Sequence, residues 1–297
     1  MGYAATADAF RRAAADVTVE ELTTHYTEGL ARFHDELVPR VKRVLTELSG
    51  GAWDLGKHKV YAAGSDVDLM THLIDMYCAV PAAGCSTGPV HVFPGDWWGF
   101  HKGFARQAVK WSDDDAALGC LCLPSVRNGH VTTEMVDFVA RCESALWNLN
   151  LWPTLPDACR HAAAAELSPS LSKSLLSVSF SRGFGMTASQ LGVLLVPPGH
   201  PILEHAETLD WLTFFHNAIA ARAFCAVDVD ALRSVDDLRR ASVHAWLRER
   251  GLPVIESGSY YVKSFRVEGD VDERLRPLLR DDDGTPVVRL CFKPIEV

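Results

Sequence analysis

Apolar residues recur at helical spacing over residues 5 to 48, with Thr18 and Glu21 spaced as a capping box and Gly50-Gly51 as a stop. This pattern predicts a helical N-terminal arm. Beyond it the period shortens: a strand at Val60-Tyr61-Ala62, a turn at Gly64-Ser65-Asp66, a helix from Met70 to Tyr77 and a strand at Val90-His91-Val92. Alternation then continues with a helix near 98–109, a strand over 117–123, a helix over 132–145, a short apolar run at 145–151, and strands over 175–180 and 191–196. Strands that alternate with helices predict an α/β layer architecture around a largely parallel sheet. From about residue 206 the pattern turns to helices at 206–225 and 235–250, then strand-like segments at 253–256, 260–266 and 286–292. The predicted organisation is an arm over 1–55, a large α/β domain over 56–205 and a smaller α+β lobe over 206–297.

With 297 residues and 48% apolar content, the chain is long enough to bury a large core. A net charge of -9, with no basic stripe interleaved with aromatics, argues against nucleic-acid and anionic-membrane partners. No uninterrupted apolar run approaches the roughly 18 residues of a membrane span, and residues 1–17 lack the apolar core of a signal peptide. A cytoplasmic location is the expectation. The eight cysteines are scattered through apolar segments and read as reduced core residues, with Cys120-x-Cys122 on a buried strand. The twelve histidines show no metal-ligand spacing, so no metal is expected. Asp113-Asp114-Asp115 and Asp281-Asp282-Asp283 read as acidic surface turns.

The most informative stretch runs from Ser179 to Val196. Without gaps, Ser181-Arg182-Gly-Phe-Gly185 through Gln190-Leu-Gly192 resembles the Ser-Lys-x-x-Gly-x-x-x-x-Arg-x-Gly segment of fold-type-I pyridoxal-phosphate enzymes, the aminotransferase superfamily. Further segments are similar to the alliinase and tryptophan-aminotransferase-related branch. They are Gly88 to Phe100 with Asp96-Trp97-Trp98, Lys110-Trp111-Ser-Asp113, Leu123-Pro-Ser-Val-Arg-Asn-Gly129, Trp147-Asn-Leu-Asn-Leu-Trp-Pro153 and Val288-Arg289-Leu-Cys-Phe292. The resemblance covers roughly residues 58 to 295 and implies a three-layer aminotransferase-like fold, a small carboxylated substrate and a homodimer.

The departures fall on positions that hold the family's cofactor. Arg182 stands at the lysine position, and an always-protonated guanidinium cannot form a Schiff base. Gln190 replaces the phosphate-gripping arginine, Trp147 or Asn148 replaces the aspartate on the pyridine nitrogen, and Val126 and Asn150 replace the asparagine and tyrosine near the ring hydroxyl. Asp66, in the turn whose helix binds phosphate in the family, opposes an anion. These losses lead to the expectation that no cofactor is used. Lys173, in Ser170-Leu-Ser-Lys-Ser174, is the alternative lysine.

The resemblance makes Arg289 the carboxylate grip and Trp97 and Trp98 the aromatic stack. Asn148, Asn150, Gln190 and Ser65 join them as substrate-binding candidates; Arg182, Tyr61 and His101 are the catalytic candidates. Three readings follow. The first is a repurposed enzyme independent of pyridoxal phosphate, acting on an amino-acid-derived or other carboxylated metabolite in specialised biosynthesis. The second is a non-catalytic partner protein, and the third an aminotransferase or carbon–sulfur lyase that uses Lys173.

Overall fold

A computed structural model describes residues 3–23, 28, 33–79, 88–97, 99–100, 109–186, 191–203, 218–267, 269–282 and 285–292. The N-terminal arm is helical, as its pattern predicts: α1 (Ala4–Asp16), α2 (Val19–Thr23) and α3 (Val38–Leu48), the last entered through a π-helical turn at Phe33–Leu37. Thr18 and Glu21 form the capping box, the Thr18 backbone N–H donating to the Glu21 carboxylate at 3.0 Å and the Glu21 N–H to Thr18 Oγ1 at 3.2 Å. Val41, Val44, Leu45 and Leu48 recur on one face of α3 and bury it. Gly50 and Gly51, both at positive φ, then stop the helix.

The main sheet has seven strands: β1 (Lys59–Ala63), β2 (Val90–Val92), β3 (Val109–Trp111), β4 (Leu118–Cys122), β5 (Ser144–Asn148), β6 (Ser174–Ser179) and β7 (Gly192–Val196). Their order is β1-β7-β6-β5-β4-β2-β3, and only β7 runs against its neighbours. β4, β6 and β7 are buried at every position, the signature of strands covered on both faces. On one face Trp147 joins Trp53 and Trp152 in a buried tryptophan cluster beneath α3 and α1. On the other, α4 (Asp66–Ala79) packs Leu69, Met70, Leu73 and Ile74 against Tyr61, Cys120, Leu146, Leu175 and Leu194. Cys120 and Cys122 lie on a buried strand, as the sequence pattern predicts.

Helices α5 (Thr133–Arg141) and α6 (Asp157–Leu167) complete the layers. Helices α7 (Ala218–Ala226) and α8 (Val229–Glu249) lead to a three-stranded sheet in the order β8 (Val262–Arg266), β10 (Thr285–Cys291), β9 (Leu279–Asp282). The Asp228 side chain caps α8 by accepting the Asp230 and Ala231 N–H groups at 3.0 and 3.1 Å.

Three element expectations are corrected. Val109 belongs to a strand and not to a helix, although residues 101–108 lie outside the described part. The segment 253–256 forms no strand, because the Ile255 carbonyl accepts from Lys263 Nζ at 2.7 Å in place of a neighbouring strand. Asp281 and Asp282 belong to edge strand β9 and not to a turn, while Asp113–Asp115 form the expected exposed bend. Among the described residues no helix is long and apolar enough to cross a membrane.

Candidate functional site

In an open parallel sheet the strand ends that carry loops at the carboxyl edge form the ligand crevice. Here that edge gathers the turn after β1 and the loops after β2, β4, β5 and β6, which hold most of the sequence-predicted residues.

The turn after β1 is drawn tight. Ser65 Oγ accepts the Asp68 N–H at 3.1 Å and caps α4, so its hydroxyl serves the helix first. The Asp66 carboxylate is buried and lies against the backbone N–H groups of Asp66 and Val67, while burial pushes its pKa up to about 6. The helix N-terminus therefore has a carboxylate of its own.

Asp96, from the loop after β2, is also buried. Its Oδ2 accepts the Cys122 N–H at 2.8 Å and its Oδ1 the Trp97 N–H, and desolvation pushes this carboxyl to about 6. Burial, together with the charges of Asp96 and Asp66, drives the Cys122 thiol well above its ordinary range. The thiol therefore stays protonated at neutral pH. Arg127 crosses from the loop after β4 and donates to the Pro94 carbonyl at 2.9 Å, tying the two loops together. Trp97 is half-buried, its ring edge-on to Phe100 at 5.6 Å.

Asn148 ends β5, with Nδ2 directed at Met70 Sδ at 3.7 Å and Oδ1 accepting the Asn150 N–H at 3.0 Å. Asn150 Oδ1 in turn accepts from Ser181 Oγ at 3.0 Å and from the Arg182 N–H at 3.4 Å, holding the turn after β6. The pleat sends the side chains of Trp147 and Asn148 to opposite faces. Trp147 points into the tryptophan cluster on the far face, and Asn148 alone stands at the edge.

Arg182 is exposed, with its guanidinium 5.9 Å from the centre of the Tyr261 ring. Arg289, on β10, is half-buried and reaches the Val126 carbonyl at 3.4 Å. Neither arginine pairs with a carboxylate among the described residues.

Tyr61 lies in the core beneath α4 at 3% exposure and does not line the crevice. Its position in mid-strand, away from the edge, removes it from the candidates for proton transfer. Trp98, His101 and Gln190 lie outside the described residues. Lys173 is displaced from the site. It precedes β6 and donates to the Ala140 and Cys142 carbonyls at 2.7 and 2.6 Å. A strand of six residues, at roughly 3.3 Å each, puts about 20 Å between it and the Arg182 turn. Asp96, Arg127 and Tyr261 were not singled out from the sequence; the only signal was the position of Asp96 beside the paired tryptophans.

No family model matches this sequence, and no curated protein is significantly similar to it. Solved structures do share the fold. L,L-diaminopimelate aminotransferase from Chlamydomonas reinhardtii superposes with a TM-score of 0.69 at 13% identity, over 97% of this chain and 82% of that one. An aminotransferase from Staphylococcus aureus gives 0.66 at 15%, over 96% and 84%. Histidinol-phosphate aminotransferase from Sinorhizobium meliloti, solved with pyridoxal 5'-phosphate, gives 0.57 at 18%, over 88% and 71%. The fold is thus the aminotransferase-like, fold-type-I arrangement that the segment matches imply.

This comparison corrects the expectation of no cofactor: the three structures named above are aminotransferases, and the one from Sinorhizobium meliloti holds pyridoxal phosphate, so the fold points to that cofactor and not to none. The described residues fit it unevenly. Trp97, Asn148 and Asn150 offer an aromatic and polar setting for a ring. The buried Asp66 carboxylate lies against the first N–H groups of α4, which leaves that helix end less open to a phosphate. Lys263, buried at 1% exposure, spends its amine on the Ile255 and Ser257 carbonyls at 2.7 and 3.1 Å. Among the described residues the amines of Lys173 and Lys263 are held by backbone carbonyls; Lys102 and Lys293 lie outside them.

Proposed function

We propose that this aminotransferase-fold protein is a repurposed relative of the alliinase and tryptophan-aminotransferase branch that acts on an amino-acid-derived or other carboxylated metabolite. The observation that carries the reading is the pair of arginines at the crevice, Arg289 and Arg182, with no described carboxylate to neutralise either. Arg289 is half-buried, and a half-buried guanidinium without a counter-charge is costly to keep unless an anion completes it. A ligand carboxylate supplies two acceptors in the geometry of the guanidinium fork.

In this reading Arg289 holds the carboxylate, Trp97 flanks the body of the ligand, and Asn148 and Asn150 form a polar floor. Arg182 provides a second cation at the rim. Ser65 acts through the α4 N-terminus and not by direct contact, since its hydroxyl already caps the helix. The resemblance extends the same reading to a homodimer and a cytoplasmic setting.

A titration of the full chain against a panel of amino acids and 2-oxo acids, followed by calorimetry, tests this. Saturable binding of one carboxylated class supports the reading. Absence of binding across the panel overturns it in favour of the non-catalytic partner protein.

A further inference from the structure

The turn that carries Arg182 is held from two sides by groups remote from it in sequence. From the arm, Thr6 Oγ1 donates to the Phe184 carbonyl at 2.8 Å. The Tyr3 ring lies so close to Gly185, itself at φ +69°, that a Cβ there would stand 2.3 Å from Tyr3 Cδ2. From the C-terminal segment, the Tyr261 hydroxyl donates to the Arg182 carbonyl at 3.5 Å, and its ring faces the guanidinium at 5.9 Å.

These two sides meet at one buried carboxylate. Asp236 of α8 accepts from the Tyr3 hydroxyl at 2.7 Å and from the Tyr260 hydroxyl at 2.6 Å, both on Oδ1. Arg239 lies 3.8 Å from the same oxygen, with its guanidinium 4.3 Å from the centre of the Tyr3 ring. Tyr260 stacks on Tyr261 with ring centres 4.7 Å apart. A continuous set of contacts runs Tyr3, Asp236, Tyr260, Tyr261, Arg182.

We infer that Tyr3, Asp236, Tyr260 and Tyr261 are positioning residues for Arg182, so that the N-terminal arm is a working part of the crevice. The inference rests on the reading of Arg182 as a ligand-facing cation, and its geometry has a consequence that needs no ligand. A phenol shared with a second phenol on one carboxylate oxygen is directional, and removing either hydroxyl leaves the other bond and the packing in place. A tyrosine ring against a guanidinium limits the rotamers that the arginine samples.

The experiment is the rate of Arg182 modification by phenylglyoxal, read by peptide mass spectrometry on the full chain, alongside amide hydrogen exchange over residues 180–186. Tyr3→Phe is expected to raise exchange in that turn on the order of tenfold and to change the Arg182 reaction rate, while exchange in β5 and β6 stays as in the wild type. Tyr261→Leu is expected to change the Arg182 rate, and Tyr261→Phe, which keeps the ring, to restore most of it. Wild-type reactivity of Arg182 in both Tyr3→Phe and Tyr261→Leu would overturn the inference. So would a uniform rise in exchange across the sheet, which marks a purely structural role. If Tyr3→Phe does not fold, the Tyr261 pair decides alone. A wild type that binds no carboxylated ligand defeats the proposed function and leaves this coupling as measured.

Discussion

Gly192, the first residue of β7, lies so close to Asp66 that a Cβ on it would stand 2.2 Å from the Asp66 backbone nitrogen. The atoms in the way are backbone, of Asp66 and of Ser65, and cannot rotate aside. The α4 N-terminus therefore sits where it does because position 192 carries no side chain.

Gly192→Ala is expected to destabilise the fold by about 1–3 kcal/mol through overpacking. Denaturant unfolding measures it. A change within about 0.5 kcal/mol, the range of surface substitutions, would show that the turn gives way easily and does not fix the crevice.

Asp66 sets the anion preference of that same turn. Replacing its buried carboxylate with the neutral isostere, Asp66→Asn, removes the negative charge from the helix N-terminus. Affinity for free pyridoxal phosphate, followed by its visible absorbance, is expected to rise on the order of tenfold. Unchanged affinity would mean that phosphate does not approach α4.

His200 pins the opposite edge of the sheet, with Nε2 at 3.0 Å from Ser144 Oγ and 3.2 Å from the Tyr77 hydroxyl. Its Nδ1 accepts the Ile202 N–H at 3.2 Å, so in the neutral ring the proton is on Nε2 and the pair is a structural contact, not a base and nucleophile. Burial pushes the imidazole down to about 4. The unfolded chain, at about 6.5, takes up its proton first as pH falls. His200 thus contributes stability that is fully present above pH ~6.5 and lost as pH drops toward 4. The buried carboxyls of Asp66, Asp96 and Asp236, each pushed up to about 6, act in the opposite sense. The readout is therefore the difference between wild type and His200→Gln, which should narrow as pH falls from 7 to 4.5. A constant difference would show that the ring titrates normally.

Lys173 gives a fourth prediction. Incubation with pyridoxal phosphate and borohydride, followed by peptide mapping, should leave Lys173 unmodified, since its amine is held by two carbonyls far from the crevice. A single stoichiometric adduct at Lys173 would return the lysine-dependent lyase or transaminase reading.

The alternation of strands and helices over residues 59–196 was enough to give the layered fold, because strands covered on both faces advertise themselves as continuous apolar runs such as Leu118 to Cys122 and Gly192 to Val196. Strand β9 was not legible, since Leu-Arg-Asp-Asp carries the charges of an exposed edge and no apolar alternation. At the site, the segment matches located Arg182, Arg289, Asn148 and Asn150, all of which the fold brings to one edge. Tyr61 was misjudged, because the sequence pattern does not say how far along a strand the crevice begins. Asp96 and Tyr261 were missed for a related reason: their roles come from backbone and side-chain partners distant in sequence, Cys122 for one and Arg182 for the other.

The central claim is that Arg289 grips a carboxylate at the crevice. Calorimetry of wild type and Arg289→Ala, with each amino acid that binds and with its decarboxylated amine, tests it most directly. The account predicts that the wild type prefers the acid by at least about tenfold and that Arg289→Ala loses this preference with its fold intact. An equal preference for the acid in both proteins would contradict it.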